Sequence, residues 1–518
     1  MPHGTGLTMR LLEAACVVGQ ACATAMRLRG PESLALAAVA VLASALQFRE
    51  WPDRDRLYRP HVSSGLAIGV VALPVVFGAQ LSMKPSALLP LSMLFWASVV
   101  CAVLSIANQQ GGKPSRSGRF LWAMLLAIPA GYLCSDPNWF RNTLRIAMVA
   151  CTQQWYLHSM PVRLPRSFTY GEAHVVATLV SLLLCNASLH IVDTVVPYWA
   201  LFKPYVQLSH PLVLIAQYVG IVTGAIVEAQ VRLARALRGV HPSSTKEDVE
   251  RTTAEFWARM VIACLVAHPW VMYHLGEEPL QFIVKFLAAD AARIGLVAYW
   301  LAVVCASIAW FPRLESWLGL RVILSRKLYH FLITAVAVPG AFADSAFLSL
   351  ALCGALSLFV VAEVIRVCRV PPIGPVLDAY MSRYIDKRDA GDVILTHIYL
   401  LLGCALPFWL HAPFEPLVPG LAGIISLGIA DSAASFVGIR FGTVNWPGSR
   451  KTLQGSLGAA VTSALSIVAL QSMASPIPVA THSLLQPVAF NTLLEASTDQ
   501  IDNLFLPLYF YAAIVSVL

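Results

Sequence analysis

Long apolar runs separated by short polar or basic segments dominate the chain. A helix needs roughly 20 apolar residues to cross a hydrocarbon layer. Runs of about that length lie near 33–48, 62–82, 88–107, 120–135, 172–197, 210–230, 258–275, 292–311, 329–345, 346–365, 393–411, 417–438, 456–473, 484–498 and 504–518. Two further stretches, 9–28 and 143–158, are interrupted by Arg10, Glu13, Arg27, Arg145 and His158. The pattern predicts an all-α, polytopic integral membrane protein with about 14–17 transmembrane helices. Because Glu13 breaks the first run and no clear small-residue cleavage site precedes a soluble body, the N-terminus does not read as a cleaved signal peptide.

The polar segments between the runs give an orientation. Basic clusters occur at 49–59, 113–119, 232–259, 313–327, 366–388 and 440–451, and successive clusters are separated by two, four, two, two and two runs if 143–158 crosses. Even separations place every cluster on one face, which the positive-inside rule makes cytosolic. The intervening connections are poor in cations, and one carries Glu277 and Glu278. If 456–473 leaves the cytosolic face and 484–498 returns, Glu495, Asp499 and Asp502 come back to it. Their i, i+4, i+7 spacing puts all three on one helical face if the helix continues.

Composition supports the membrane reading. Hydrophobic residues make up 58% of the chain and charged ones 12%, with a mean hydropathy of +0.68; a soluble domain carries about 25% charged residues. Basic loops account for the net charge of +8, and no basic–aromatic patch points to nucleic acid. The eleven cysteines are scattered, mostly within apolar runs, with no CxxC pair. They read as small buried hydrophobes, not as a disulfide or zinc framework.

Candidate chemistry gathers in Asp431–Gly455, reading DSAASFVGIRFGTVNWPGSRKTLQG. It offers Arg440, Arg450 and Lys451 as cations and Thr443, Ser449 and Thr452 as hydroxyls. Gly438, Gly442, Gly448 and Gly455 allow a backbone to bend closely around a ligand. Such a loop suits a polyphosphate; the same composition also fits a basic loop that only sets orientation. It is not a Walker loop, because Gly442 and Gly448 stand one residue too far apart and two residues separate Gly448 from Lys451. Trp446 suits either stacking on a base or anchoring at the interface. Carboxylates at membrane depth are costly and default to functional candidates, which singles out Asp431, Glu495, Asp499 and Asp502. Hard oxygen ligands of this kind suit Mg²⁺ or another divalent cation carried by a nucleoside triphosphate. Arg326, Lys327 and His330 begin another run, where phosphate, a lipid hydroxyl or phospholipid headgroups are the alternatives. Asp389 and His397 open a third.

Four ordered blocks resemble the dolichol kinase family. They are Asp431–Gly455, LLEASTDQIDNLFLPLY at Leu493–Tyr509, DKRDAGDVILTHIYLLLG at Asp386–Gly403, and RKLYHFLITAVAVPG at Arg326–Gly340. SFTYGEA at Ser167–Ala173 is a weaker echo. The resemblance runs in register from about residue 320 to 518, while the N-terminal 300 residues resemble the family mainly in their number of spans. It implies an N-terminal multi-span region, 1–320, and a C-terminal catalytic region, 321–518. It further implies a multi-pass enzyme of the endoplasmic reticulum membrane with its active site on the cytosolic face. Such an enzyme passes the γ-phosphoryl group of CTP to dolichol or a related polyprenol, giving dolichyl phosphate for protein glycosylation.

The family's CTP-binding loop corresponds to Ile439, Arg440, Phe441, Gly442, Thr443, Val444, Asn445, Trp446, Pro447, Gly448, Ser449, Arg450, Lys451, Thr452, Leu453 and Gln454. Trp446, Pro447, Gly448, Lys451, Thr452 and Gly455 follow its motif. Ser449 replaces the usual Thr, Arg450 the first Lys, Gln454 a Glu, and Ala430 a Gly. The resulting catalytic candidates are Asp502, Asp431, Asp499 and His330, with Asp502 and Glu495 as metal ligands. The alternatives are a related CTP-using lipid enzyme (a phytol or diacylglycerol kinase, or a phosphatidate cytidylyltransferase) and a transporter. A transporter is expected to show repeated halves, and the sequence has no such repeat.

The orientation is directly testable. A cysteine placed at Thr443 should react with a membrane-impermeant thiol reagent from the cytosolic side, and one at Ser475 only from the opposite side. The reverse labelling pattern would overturn the even-span argument.

Overall fold

A computed structural model describes residues 3–48, 57–59, 62–83, 88–110, 116–136, 138–195, 246–385, 391, 393–411, 417–474 and 481–518. The apolar run at 210–230, Asp389 and Ser475 lie outside them. The helices, in chain order, begin with α1 (His3–Ala25), α2 (Pro31–Leu46), α3 (Leu66–Met83), α4 (Leu88–Gln110), α5 (Arg116–Leu133), α6 (Trp139–Arg163) and α7 (Tyr170–Val195). They continue with α8 (Lys246–Leu275), α9 (Pro279–Ala288), α10 (Ala291–Leu318), α11 (Val322–Ala343), α12 (Ser345–Val367), α13 (Ile373–Met381) and α14 (Thr396–Leu410). A π-helical segment, Ile424–Asp431, runs directly into α15 (Ser432–Phe441), followed by α16 (Leu453–Ala474), α17 (Leu485–Ser497) and α18 (Asp502–Val517). Among the described residues the β structure is one isolated bridge, Asn445 to Thr452, and eight helices are long and apolar enough to cross a membrane. The chain is an all-α, multi-pass membrane protein.

Two compact units emerge, one from Met1–Val206 with Leu406–Leu518, the other from Gln207–Ala405. The axis of the first unit is α18. Every residue from Asn503 to Ser516 is buried, as expected of a helix that is apolar all round and sits in a core. It packs on α3, α17, α1 and the π-helical segment. Its polar atoms are matched across these contacts. The Tyr509 hydroxyl donates to the Ile68 carbonyl at 2.9 Å, and the Thr24 and Ser516 hydroxyls lie 3.2 Å apart.

The two stretches with interrupting charges are both helices, α1 and α6. Glu13 and Gln20 on α1 and Arg145, Gln153 and Gln154 on α6 are buried, while Arg10 and His158 are exposed. On α6, the Gln153 amide donates to the Ser105 hydroxyl at 3.3 Å, and Gln154 donates to Gln153 Oε1 at 2.7 Å. Asn108 in turn donates to Gln154 Oε1 at 2.7 Å, and the Ser105 hydroxyl and His174 Nδ1 lie 2.8 Å apart. Interhelical hydrogen bonds of this kind make polar residues tolerable among spanning helices.

SFTYGEA has a structural account at nearly every position. Thr169 and Glu172 form a reciprocal capping box at the start of α7: Thr169 N–H donates to Glu172 Oε2 at 3.2 Å, and Glu172 N–H to the Thr169 hydroxyl at 3.3 Å. The Tyr170 hydroxyl reaches the Ser105 carbonyl at 2.8 Å. Gly171 lies so close to the 63–65 segment that an added Cβ would stand 2.0 Å from the Gly65 carbonyl oxygen. Glu172 then pairs with Arg59 at 2.8 Å, both fully buried, while Arg59 also donates to the Ser167 carbonyl at 2.7 Å. The block thereby docks the segment preceding α3 against the head of α7.

The second unit holds its polar groups in separate clusters. Arg366 binds Glu363 at 2.6 Å and Asp378 at 2.9 Å, and the Ile394 N–H donates to Glu363 Oε1 at 2.6 Å. Tyr384 donates to Glu315 at 3.0 Å, and Arg293 pairs with Asp344 at 2.7 Å. Most of the residues of α10, α11 and α12 are not buried by the rest of the protein. Uncovered apolar faces of this extent suit hydrocarbon as their surroundings.

The Arg59–Glu172 pair makes a stability prediction. Glu172→Ala leaves a buried guanidinium without its counter-charge, which costs about 3–5 kcal/mol. Denaturant or thermal unfolding of the purified protein in detergent should show a loss of that size. An unchanged midpoint would refute the role given to the pair.

Candidate active site

The segment between α15 and α16 is a small hairpin built by its own sequence. Trp446-Pro447-Gly448-Ser449 forms a type II turn, closed by the Ser449 N–H on the Trp446 carbonyl at 3.1 Å. Proline suits the second position of such a turn, and the third needs positive φ; Gly448 has φ +73°. The hairpin arms are joined by Trp446 N–H to the Lys451 carbonyl at 2.9 Å and Leu453 N–H to the Val444 carbonyl at 2.8 Å. The Trp446 indole donates to the Ser456 hydroxyl at 3.0 Å, so one edge of this half-buried ring is fixed to α16. At the base, α15 and α16 meet backbone to backbone: a Cβ on Gly455 would lie 2.8 Å from the Ala434 carbonyl oxygen.

Gln454 clamps the loop entrance. Its Oε1 accepts the Thr443 and Val444 N–H groups, each at 3.2 Å, and its Nε2 donates to the Thr443 hydroxyl at 2.6 Å. Its role in this structure is to fix the hairpin. The Lys451 N–H is likewise used internally, by the Ser449 hydroxyl at 3.1 Å. With the N–H groups of Thr443, Val444, Trp446, Ser449 and Lys451 engaged in the hairpin, its cationic side chains are the stronger anion donors. Arg440 and Arg450 are exposed, and Lys451 is partly buried.

Lys451 joins this loop to the C-terminal acidic block. Its ammonium pairs with Glu495 Oε1 at 2.9 Å and also donates to the Glu495 backbone carbonyl. The acidic residues do not share one helical face, because α17 ends at Ser497 and Thr498 turns extended, with φ −79° and ψ 139°. The Thr498 hydroxyl accepts the Gln500 N–H at 3.2 Å, stabilising the break. Asp502 consequently becomes the half-buried first residue of a new helix, α18.

Asp499 faces the N-terminal part of the unit. Its Oδ2 accepts the Ser63 N–H at 3.1 Å and its Oδ1 the Ser63 hydroxyl at 2.7 Å. Gln500 Nε2 completes the clasp, donating to Ser63 Oγ at 2.6 Å, the Ser63 carbonyl at 3.1 Å and Asp499 Oδ1 at 3.1 Å. Neither Ser63 nor Glu13 entered the sequence-derived site. Glu13, on α1, is buried at 2% exposure, on a helix that packs against α17 and α18. Its only sequence signal was a carboxylate interrupting an apolar run.

The remaining sequence-derived residues are placed as follows. Asp431 is buried at the end of the π-helical segment, which packs on α16 and α18. Such segments recur at functional sites. His330 belongs to the second unit, buried on α11, where its carbonyl accepts the Thr334 hydroxyl at 3.0 Å. His397 lies edge-on to Phe359, with ring centroids 5.8 Å apart. Among the described residues no three His, Cys, Asp or Glu side chains group to hold a metal ion. Asp499 is engaged by Ser63 and Glu495 by Lys451.

Comparison with known proteins agrees with the resemblance. The sequence model of the dolichol kinase family matches residues 156–402. That match takes in SFTYGEA and Arg326–Gly340 and stops before Asp431–Gly455. Dolichol kinase of Arabidopsis thaliana is 34% identical over 268 residues, covering 50% of this chain and 47% of that protein. The dolichol kinase of Mus musculus is 34% identical over 269 residues, 48% of this chain and 50% of that protein. For Saccharomyces cerevisiae dolichol kinase the identity is 32% over 249 residues, 47% and 46% of the two chains. The chain thus spans about half the length of the curated relatives it matches. No solved structure matches it. Over the residues that these matches cover, the chain is similar to the dolichol kinases.

Proposed function

We propose that this protein is a dolichol kinase, transferring the γ-phosphoryl group of CTP to the terminal hydroxyl of dolichol at the cytosolic face of the endoplasmic reticulum membrane. The observation that most supports this reading is the Lys451–Glu495 pair, at 2.9 Å. It brings together two of the four blocks that resemble that family, a dibasic hairpin and an acidic turn at the end of α17.

Phosphoryl transfer asks mainly for positioning and for stabilisation of charge on the transferring group and the leaving diphosphate. Lys451 and Arg450 supply that charge, Arg450 being able to grip two phosphate oxygens at once. Mg²⁺ or another divalent cation, arriving with CTP and held by Asp502 and Glu495, would neutralise further phosphate charge. The type II turn and the Gln454 clamp hold the hairpin in shape before the nucleotide arrives, so less ordering is needed on binding. Trp446, fixed at one edge by Ser456, offers a face for the base. Asp431 ends the π-helical segment and Asp502 begins α18, two elements that pack on each other, and both are assigned to the acceptor side.

Purified protein should be given labelled CTP or ATP with dolichol, phytol and diacylglycerol in turn. Label should pass from CTP to dolichol. Label appearing on diacylglycerol or phytol in preference to dolichol, or equally from ATP, would sink the assignment.

Within this mechanism Lys451→Ala removes a charge-assisted contact worth about 1.5–3 kcal/mol. The value of kcat/KM for CTP should fall by roughly ten- to a hundredfold, with Lys451→Arg milder. Unaltered CTP use by Lys451→Ala would exclude Lys451 from phosphate recognition.

A further inference from the structure

Every polar group of Ser63 is engaged by the acidic turn. Its N–H and hydroxyl donate to the two oxygens of Asp499, at 3.1 and 2.7 Å. Its hydroxyl oxygen and carbonyl accept from Gln500 Nε2, at 2.6 and 3.1 Å. Bonds to an ionised carboxylate are stronger than neutral ones, and two at once fix its direction. Gln500 passes beside Gly65, where φ is +63° and an added Cβ would stand 2.5 Å from Gln500 Oε1.

Both ends of this clasp are tied to other parts of the unit. The segment carrying Ser63 is bonded through its backbone to the approach and head of α7. Arg166 N–H donates to the Leu57 carbonyl at 3.0 Å, Arg59 N–H to the Phe168 carbonyl at 2.8 Å and Gly171 N–H to the Ser64 carbonyl at 3.0 Å. On the other side, Thr498 N–H donates to the Leu494 carbonyl at 3.0 Å, which closes the last turn of α17. The neighbouring residue, Glu495, holds the Lys451 ammonium at 2.9 Å. Hydrogen bonds, one turn of helix and one ion pair thus lead from α7 through Ser63 to Lys451.

We propose that Ser63 is a positioning residue for phosphoryl transfer: by holding the end of α17 it sets, through Glu495, where the Lys451 ammonium stands. The inference rests on the reading above, in which Lys451 meets the phosphates of CTP. A displacement of about 1 Å arising far from the chemistry can cost roughly a hundredfold in rate. The segment before α3, nearly four hundred residues from the nucleotide loop in sequence, thereby takes part in placing the nucleotide. Asp499, with an oxygen committed to each Ser63 donor, acts on Glu495 and Lys451 and not on the substrate.

Ser63→Ala removes the hydroxyl and with it two of the four bonds between Ser63 and the turn. Full-length protein in detergent or liposomes, assayed with CTP and dolichol, should lose about tenfold in kcat/KM for CTP, with KM for dolichol unchanged. Ser63→Thr keeps the hydroxyl and should recover most of the loss. In a Lys451→Ala background, Ser63→Ala should cost nothing further, because residues that act through one contact are not additive. A residue that only supports folding would lower the amount of active protein and add its effect to that of Lys451→Ala. If Ser63→Ala does not accumulate in the membrane, Gln500→Ala, which removes the other side-chain donor of the clasp, carries the same test. Wild-type kinetics, a loss additive with Lys451→Ala, or no recovery in Ser63→Thr would overturn the inference. A wild-type protein that phosphorylates no alcohol would defeat the proposed function and this inference together; active wild type with an unaffected Ser63→Ala defeats this inference alone.

Discussion

A polar group buried among apolar helices costs roughly 2–7 kcal/mol unless it finds a partner, and in the first unit the partners come from distant parts of the sequence. Ser63, just ahead of α3, gives both of its donors to Asp499, and Gln500 returns the bond to Ser63. This clasp fixes the turn between α17 and α18. The same short segment is anchored from behind by Arg59, whose ion pair with Glu172 ties it to the head of α7. Lys451 reaches Glu495 on the helix that leads into this turn. Remove the clasp, and the acidic turn loses its fixed relation to the N-terminal helices.

The hairpin shows how a short motif can specify its own shape. Pro447 and Gly448 set the turn, Trp446 and Lys451 close it, and Gln454 seals its entrance. The position where the family carries Glu is here an amide that both accepts and donates. A carboxylate could accept the same two N–H groups and take the Thr443 hydroxyl as a donor, so the clamp does not depend on which of the two is present. What the clamp fixes is geometric. Lys451 is delivered at the end of a structure that is rigid on both sides of it.

Features set by local pattern were legible in the sequence. Among the described residues the apolar runs lie in helices, and the WPGS stretch became a turn because Pro and Gly have few alternatives in such a place. The acidic block was found, but its helical spacing misled. The 3.6-residue period holds only while a helix lasts, and Thr498 ends α17 by bonding the Gln500 N–H instead. Glu13 and Ser63 were invisible as site residues for another reason. Their significance lies in contacts across more than four hundred residues, and a single chain carries no periodic trace of a pairing at that range. Glu13 read as a blemish in an apolar run because the helices on which α1 packs, α17 and α18 among them, are so far away in sequence.

The burial of α18 on all sides carries a consequence for how the protein is made. Helices α1 and α3 enter the membrane early in synthesis, yet the core helix on which they pack emerges about 400 residues later. Until then their inner faces, with Glu13 and the Ser63 segment, have no native counterpart and must wait in lipid or against provisional neighbours. Non-local pairing of this kind slows folding and lengthens the exposure of unfinished surfaces. Assembly of the site is therefore tied to delivery of α18: a ribosome that halts beyond α7 leaves a bundle of inserted helices without the centre that gives their polar residues a purpose.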